Sequence, residues 1–154
     1  MLIDRKDVSN FCEELRKSNK KIVFTNGCFD ILHVGHIRYL SAAKEFGDIL
    51  IVGLNTDTSV KSLKGNDRPI NNENDRAEVL LALKAIDHVV LFGEKTAEEL
   101  IAQIKPDIYV KGGDYTLETL PEAKAIIAAG GRIEFIDFVK GKSTTNVISK
   151  ISQK

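Results

Sequence analysis

The sequence is short of the features that would place it outside a reducing compartment or in a membrane. It holds two cysteines, Cys12 and Cys28. These do not make a disulfide framework, and a reducing cytoplasm is the simplest compartment. No apolar run reaches the roughly 18–20 residues that a membrane-spanning helix needs. The opening stretch MLIDRKDVSNFCEEL carries charges throughout and lacks the apolar core of a signal peptide. Charge of either sign is not in excess: 22 basic residues balance 22 acidic ones. Overall charge therefore gives no argument for a nucleic-acid or membrane partner. Repeats, low-complexity tracts and linkers are missing as well. A chain of 154 residues with these properties is expected to form one domain, residues 1–154, with a sizeable core.

Several catalytic signatures are also missing. There is no Walker motif (G-x-x-x-x-G-K-S/T) and no G-x-G-x-x-G after the first strong strand, which argues against P-loop NTPases and typical dinucleotide dehydrogenases. No Ser-His-acid or Cys-His arrangement stands out.

What is present centres on Lys21 to Phe46. Ile22-Val23-Phe24 is a short apolar run suited to a buried strand, and Thr25-Asn26-Gly27 breaks it with turn-forming residues. From Gly35 the apolar residues Ile37, Leu40, Ala43 and Phe46 recur at helical spacing. His33 and His36 sit in the turn between, with Gly35 separating them. The spacing predicts His36 in the first helical turn and His33 just before it. Both imidazoles then face the space above the strand's carboxyl end, where free N–H groups and the helix dipole attract anions.

The rest of the chain alternates. An N-terminal helix, capped by Asp4 and running to about Ser18, carries Val8, Phe11, Cys12 and Leu15 on one face. This segment, residues 1–19, is expected to pack on the sheet or on a second subunit. Ile49–Leu54 reads as a strand buried on both faces. Asn55–Asn74 is polar and too long for a simple connector, as working loops are. Asn72 with Asp75 predicts a helix to about Ala85, with Val79, Leu80 and Leu83 inward. His88–Phe92 is a strand. Thr96–Glu99 reads as a capping box for a helix to about Lys105, and Thr119 with Glu122 as another for a helix to about Ala129. Ile108–Val110 and Ile133–Phe138 are further strands, and Ser143–Asn146 opens a last helix to about Ile151. The pattern predicts an α/β fold: a doubly wound, five-stranded parallel sheet with helices on both faces. Ligands in such sheets bind beyond the strand carboxyl ends, where strand order reverses. The histidine turn, the Asn55–Asn74 segment, the Lys111–Asp114 turn and the Ser143–Thr145 turn all fall on that edge.

Each candidate has a structural and a chemical reading. His33 and His36 either complete a metal site with Cys28 or Asp30, for which the spacing matches no common zinc site, or donate hydrogen bonds to phosphate oxygens. Gly27 allows close backbone approach to a phosphate. Asp30 either orients a histidine or a basic residue, or caps the helix, and Cys28 reads as a small core residue. Lys61 and Lys64 either neutralise a triphosphate or belong to a solvated loop. Asp57 is a candidate for a ribose hydroxyl or a metal-bound water. Arg68 and Arg76 suit bidentate phosphate contact, and Arg76 suits a surface helix pair equally well. Lys111-Gly112-Gly113-Asp114 suggests close approach to a ligand or a tight turn. Ser143, Thr144 and Thr145 form an anion cradle beyond what capping requires.

With these residues in view, the chain resembles the cytidylyltransferase-like nucleotidyltransferase superfamily. The resemblance is carried by FTNGCFDILHVGH at 24–36 and GKSTTNVI at 141–148. LKGNDRPIN at 63–71, VKGGDY at 110–115 and STTNVISKI at 143–151 bring it nearest to the adenylyltransferase domain of bacterial heptose biosynthesis. The resemblance covers about residues 20–152. It implies a Rossmann-like sheet and transfer of AMP from ATP to D-glycero-β-D-manno-heptose 1-phosphate, with pyrophosphate released. Magnesium would enter on the ATP phosphates, with no direct protein ligand. Glycerol 3-phosphate cytidylyl transfer is the alternative enzyme, and a nucleotide-binding regulator without turnover the alternative of another class.

By the same resemblance His33 and His36 hold the ATP phosphates, and Lys61 or Lys64 lies near the α-phosphate and leaving group. Ser143, Thr144 and Thr145 take the β and γ phosphates. Phe29, Asp30, Gly35, Asp57, Gly112 and Asp114 fall on the nucleotide side. Asn26, Gly27, Arg68, Arg76 and Lys111 fall on the acceptor side. A homodimer is implied. So is a separate heptose kinase upstream, because the relatives are often fused to a sugar kinase and this sequence carries none.

Overall fold

The structure is a computed structural model and describes residues 1–113, 115–137 and 139–153. Six parallel strands form one sheet: β1 (Leu2–Ile3), β2 (Ile22–Gly27), β3 (Ile49–Asn55), β4 (His88–Phe92), β5 (Ile108–Gly112) and β6 (Arg132–Ile136). Their order is β1-β4-β3-β2-β5-β6, so the chain winds outward from β2 in one direction and returns through β5 in the other. The reversal between β2 and β5 opens a crevice at the carboxyl ends of those two strands.

The pleat divides the core. Ile22, Phe24, Ile51, Val90 and Tyr109 point to one face. Val23, Leu50, Val52, Val89 and Ile108 alternate with them and point to the other. The first face is covered by α1 (Val8–Lys17), α5 (Glu98–Ile104) and α6 (Ala123–Ala128), through Val8, Cys12, Leu100, Ile101 and Ile126. The second is covered by α2 (Val34–Lys44) and α4 (Glu73–Leu81), through Leu40, Ala43, Ala77 and Leu80. Each such side chain contributes roughly 1.5–3 kcal/mol by leaving water. Two further helices, α3 (Asp57–Lys64) and α7 (Thr144–Ser152), flank the crevice.

The structure corrects the sequence-based expectations in several places. The sheet has six strands and not five: Leu2–Ile3 pairs in register with Val89 and Val90, and a 3-10 turn, Arg5–Asp7, then leads into α1. Strand β2 runs through Thr25–Gly27, pairing Gly27 with Leu54, where turn residues suggested a break. The Asn55–Asn74 segment holds α3, capped by the Thr56 hydroxyl, which accepts from the Ser59 N–H. Asn72 caps α4 as expected, by accepting from the Asp75 N–H, but Val79 is exposed. The two proposed capping boxes do not form. Helix α5 starts without a side-chain cap, and the Thr119 hydroxyl instead accepts from the Thr116 N–H. Ile37 is exposed, while Leu40 and Ala43 are buried. The last strand ends at Ile136, short of the expected Phe138: Asp137 is not part of it, and Phe138 itself lies outside the described residues.

Candidate active site

The crevice widens into an open cleft of about 1120 Å³, large enough for a nucleotide and a second small substrate. Its walls bring together Lys64, Arg68, Lys95, Lys111, Lys140 and Lys142. A chain without net charge thus gathers positive charge at one place, and that place suits polyanions.

The histidine turn forms one wall. His33 is the N-cap of α2, and its Nδ1 accepts from the Gly35 N–H at 3.1 Å. His36 lies three residues on, and its Nδ1 accepts from the His33 N–H at 3.4 Å. This is a capping box built from two imidazoles. Because each Nδ1 is an acceptor, each ring proton resides on Nε2 and remains available as a donor. The rings stack with centroids 3.9 Å apart. Burial pushes the His36 imidazolium down to about 4, helped by the charges of His33 and Lys64. Burial and then Lys142 lower His33. Both rings are therefore neutral donors near pH 7.

Two glycines make this packing possible. A Cβ on Gly35 would lie 2.8 Å from the His33 ring, and one on Gly27 would lie 2.9 Å from the Phe29 ring. Phe29 takes a positive φ of 43° and sets its ring against His36, with centroids 5.2 Å apart.

Asp30 is fully engaged beneath the turn. Its carboxylate accepts from Arg68 Nε at 2.7 Å, from the Ile70 N–H at 2.9 Å and from the Asn71 N–H at 3.0 Å. Burial pushes its pKa up, but the Asn71 and Ile70 amides and the Arg68 guanidinium outweigh that and hold it below the ordinary carboxylate value. Asp30 therefore orients a basic residue, one of the two roles its sequence position suggested.

The start of α7 lies beside the histidine turn. Ser143 caps it, with its Oγ accepting from the Asn146 N–H at 3.0 Å. The Thr144 hydroxyl donates to the Ile31 carbonyl at 2.9 Å, across 113 positions of sequence. Capping and cross-linking thus employ two of the three hydroxyls. The N–H groups of Thr144 and Thr145 and the Thr145 hydroxyl remain for an anion. Lys142 approaches the histidine turn from this side.

Other expected residues separate. Lys64 lines the cleft, whereas Lys61 is exposed on α3 and is absent from the cleft's lining. Arg76 is 2% exposed. Its guanidinium donates to the carbonyls of Asn71, Cys28 and Asn55 and to Asp57 Oδ1. Arg76 and Asp57 thus pair with each other outside the cleft's lining, and four of the five guanidinium N–H groups are engaged within the protein. Asn26, Gly27, Lys111 and Gly112 do line the cleft. Burial lowers Lys111, against the opposing charge of Glu122. The expected role of Asp114 falls outside the described residues. Among the described residues, no three His, Cys, Asp or Glu side chains gather to hold a metal.

The sequence reading missed three supporting residues. Tyr39 donates to the Val110 carbonyl at 2.9 Å and takes a hydrogen bond from Thr25 Oγ1 at 2.6 Å, clamping β5 to β2. It stands one helical turn after His36, which is a signal the spacing offers. Tyr109 Oη donates to Asn26 Oδ1 at 2.6 Å. Among the described residues, the Asn26 amide N–H groups have no partner. Asn55, buried at the end of β3, bonds to Ser59 Oγ at 2.9 Å and fixes the start of α3.

Comparisons with known proteins bear on the family and the fold. A family model described as cytidylyltransferase-like matches residues 24–149. The chain is 51% identical over 147 residues to the bifunctional protein HldE of Syntrophotalea carbinolica, covering 96% of this chain and 30% of that one. It is 56% identical over 132 residues to the HldE of Citrifermentans bemidjiense, covering 86% of this chain and 27% of that one. The chain thus spans under a third of the length of the curated relatives it matches. A solved structure, the lipopolysaccharide core biosynthesis protein of Thermoplasma volcanium, superposes with a TM-score of 0.63 at 32% identity, covering 80% of this chain and 99% of that one. Among the described residues, no helix is long and apolar enough to cross a membrane. With the family model spanning both walls of the cleft, the chain belongs to the cytidylyltransferase-like family.

Proposed function

We propose that the chain transfers AMP from ATP to the phosphate of a sugar 1-phosphate, D-glycero-β-D-manno-heptose 1-phosphate, giving an ADP-sugar and pyrophosphate. The hydrogen bond from Thr144 to Ile31 carries this reading, because it joins the histidine turn and the α7 amides into a single anion-binding cleft. The likeness to HldE and to a lipopolysaccharide core biosynthesis protein supports the sugar.

In this reading a phosphate oxygen of the acceptor attacks the α-phosphorus in line, and the bond from that phosphorus to the bridging oxygen of pyrophosphate breaks. The attacking oxygen is already ionised, so no general base is required. The protein's work is positioning and charge stabilisation. His33 and His36 donate Nε2–H to the phosphate oxygens. Lys64 stabilises charge on the α-phosphate and leaving group. The α7 amides and Thr145 hold the β and γ phosphates. Gly112 lies toward the adenosine. Arg68, fixed by Asp30, faces the acceptor with Asn26, Gly27 and Lys111. The donor set is cationic and amide-rich, so magnesium fits as part of the MgATP substrate. A homodimer, a cytoplasmic location and a heptose kinase upstream belong to the same reading.

The test is pyrophosphate release with MgATP and a panel of sugar phosphates. Release with the heptose 1-phosphate supports the proposal. Release with another acceptor alone overturns the substrate. Preference for CTP with glycerol 3-phosphate favours the cytidylyltransferase reading. Tight ATP binding with no release under any acceptor favours a regulator.

A further inference from the structure

Glu122 is placed in a way that the fold alone does not explain. It stands at the N-cap position of α6, yet its carboxylate makes no cap hydrogen bond. The residue is only 4% exposed. Its Oε2 has no hydrogen-bond partner among the described residues. The side chain lines the cleft, and its charge acts on Tyr109 and Lys111. It therefore lies on the β5 side of the crevice, by the Tyr109–Asn26 hydrogen bond. A buried, unpaired carboxylate oxygen opposes folding unless something fills its hydrogen-bonding capacity.

The chemistry of the missing partner is narrow. An ionised carboxylate only accepts, and it repels phosphate. The phosphate-binding groups lie on the histidine turn and α7, so the two substrate ends separate by charge. A hydroxyl is the group that suits Oε2.

We propose that Glu122 is a specificity-determining residue that accepts a hydrogen bond from a sugar hydroxyl of a bound substrate, while the histidine turn holds the phosphates. Lys111, which lines the same cleft, offsets the negative charge of Glu122. Two sugars offer this chemistry, the ribose of the nucleotide and the ring of the acceptor. The inference rests on the transferase reading for the identity of those two ligands.

Calorimetric binding separates the sources and needs no turnover. Wild type and Glu122→Gln are titrated with ATP, 2′-deoxy-ATP, 3′-deoxy-ATP and pyrophosphate. They are then titrated with the heptose 1-phosphate in the presence of α,β-methylene-ATP, whose bridging carbon prevents transfer. The expected loss is roughly 10- to 100-fold for the sugar that Glu122 reads, the scale of a charge-assisted hydrogen bond. If the sugar is ribose, wild type prefers ATP over one deoxynucleotide by that factor and Glu122→Gln does not. If it is the acceptor, the variant loses heptose 1-phosphate and keeps ATP.

Pyrophosphate, which has no hydroxyl-bearing ring, binds both proteins equally. Affinities unchanged within about twofold for every sugar overturn the proposal. So does a parallel loss of pyrophosphate binding, which marks a structural role. Glu122→Asp, which keeps the acid and withdraws the oxygen by one methylene, gives the same readouts if the glutamine variant fails to fold. A wild type that binds these ligands without turnover counts against the transferase reading and leaves Glu122 assigned.

Discussion

A neutral histidine donates from one ring nitrogen only, and which one is set by what the other nitrogen bonds. Here the backbone sets it: the Gly35 and His33 amides occupy the two Nδ1 atoms, so Nε2 carries the hydrogen in each ring. Replacing His36 by Ala removes one such donor, and kcat is expected to fall at least ~10²-fold, the scale of a lost charge-stabilising donor. Steady-state pyrophosphate release measures it, and a near-normal kcat would remove His36 from the assigned role. The same residue ties stability to pH. Its folded pKa of about 4 lies below the ordinary value of 6.5, so the unfolded chain takes up the proton first. Stability is then complete above pH 6.5 and declines as pH falls toward 4. His33 shifts in the same direction. Thermal melts of wild type and His36→Asn from pH 7 to pH 4.5 should show a shallower decline in the variant. Parallel curves would contradict the buried neutral ring.

Arg76 ties helices α3 and α4 to the backbone just before the histidine turn. From α4 it donates to carbonyls of that backbone, of the end of β3 and of the segment before α4, and to Asp57 at the start of α3. Arg76→Met leaves those buried carbonyls without partners. A loss of about 3 kcal/mol or more is expected, each unsatisfied group costing roughly 1–3 kcal/mol. Chemical denaturation measures it, with Lys61→Ala, an exposed change on α3, as the neutral comparison. A change below about 1 kcal/mol for Arg76→Met would contradict its place as a hub. The arginine's type was legible in the sequence but its duty was not, because the partners come from three separated segments. Helix α3 was hidden for a related reason. It buries Ser59 and Val60 but leaves Leu63 exposed, too few apolar positions to set a period. Strand β1 is two residues long, shorter than any alternation needs. The capping box at Thr119 failed for the opposite reason: the local pattern was present, but the Thr119 hydroxyl accepts from the Thr116 N–H instead. The histidine turn was readable because its partners are neighbours in sequence.

At the scale of the whole molecule, the site exists because the sheet reverses between β2 and β5. That reversal carries the Ser143–Thr145 turn around to the histidine turn, and the Thr144–Ile31 hydrogen bond fixes the distance between them. Sequence pattern predicted the shared edge, whereas the direct bond depends on tertiary placement that no local spacing encodes. Thr144→Val keeps the shape of the side chain and deletes the donor, leaving the Ile31 carbonyl unpaired. A stability loss of roughly 0.5–1.5 kcal/mol is expected, which for a chain of this size lowers Tm by about 2–4 °C per kcal/mol. If the two walls grip one triphosphate, the loosened junction also raises the KM for ATP by roughly 3- to 10-fold, with a smaller effect on the acceptor's KM. Thr144→Ser restores the donor and should restore both quantities. A lowered Tm with an unchanged KM for ATP would mean that the walls serve different ligands, and the single-cleft mechanism would fall with it.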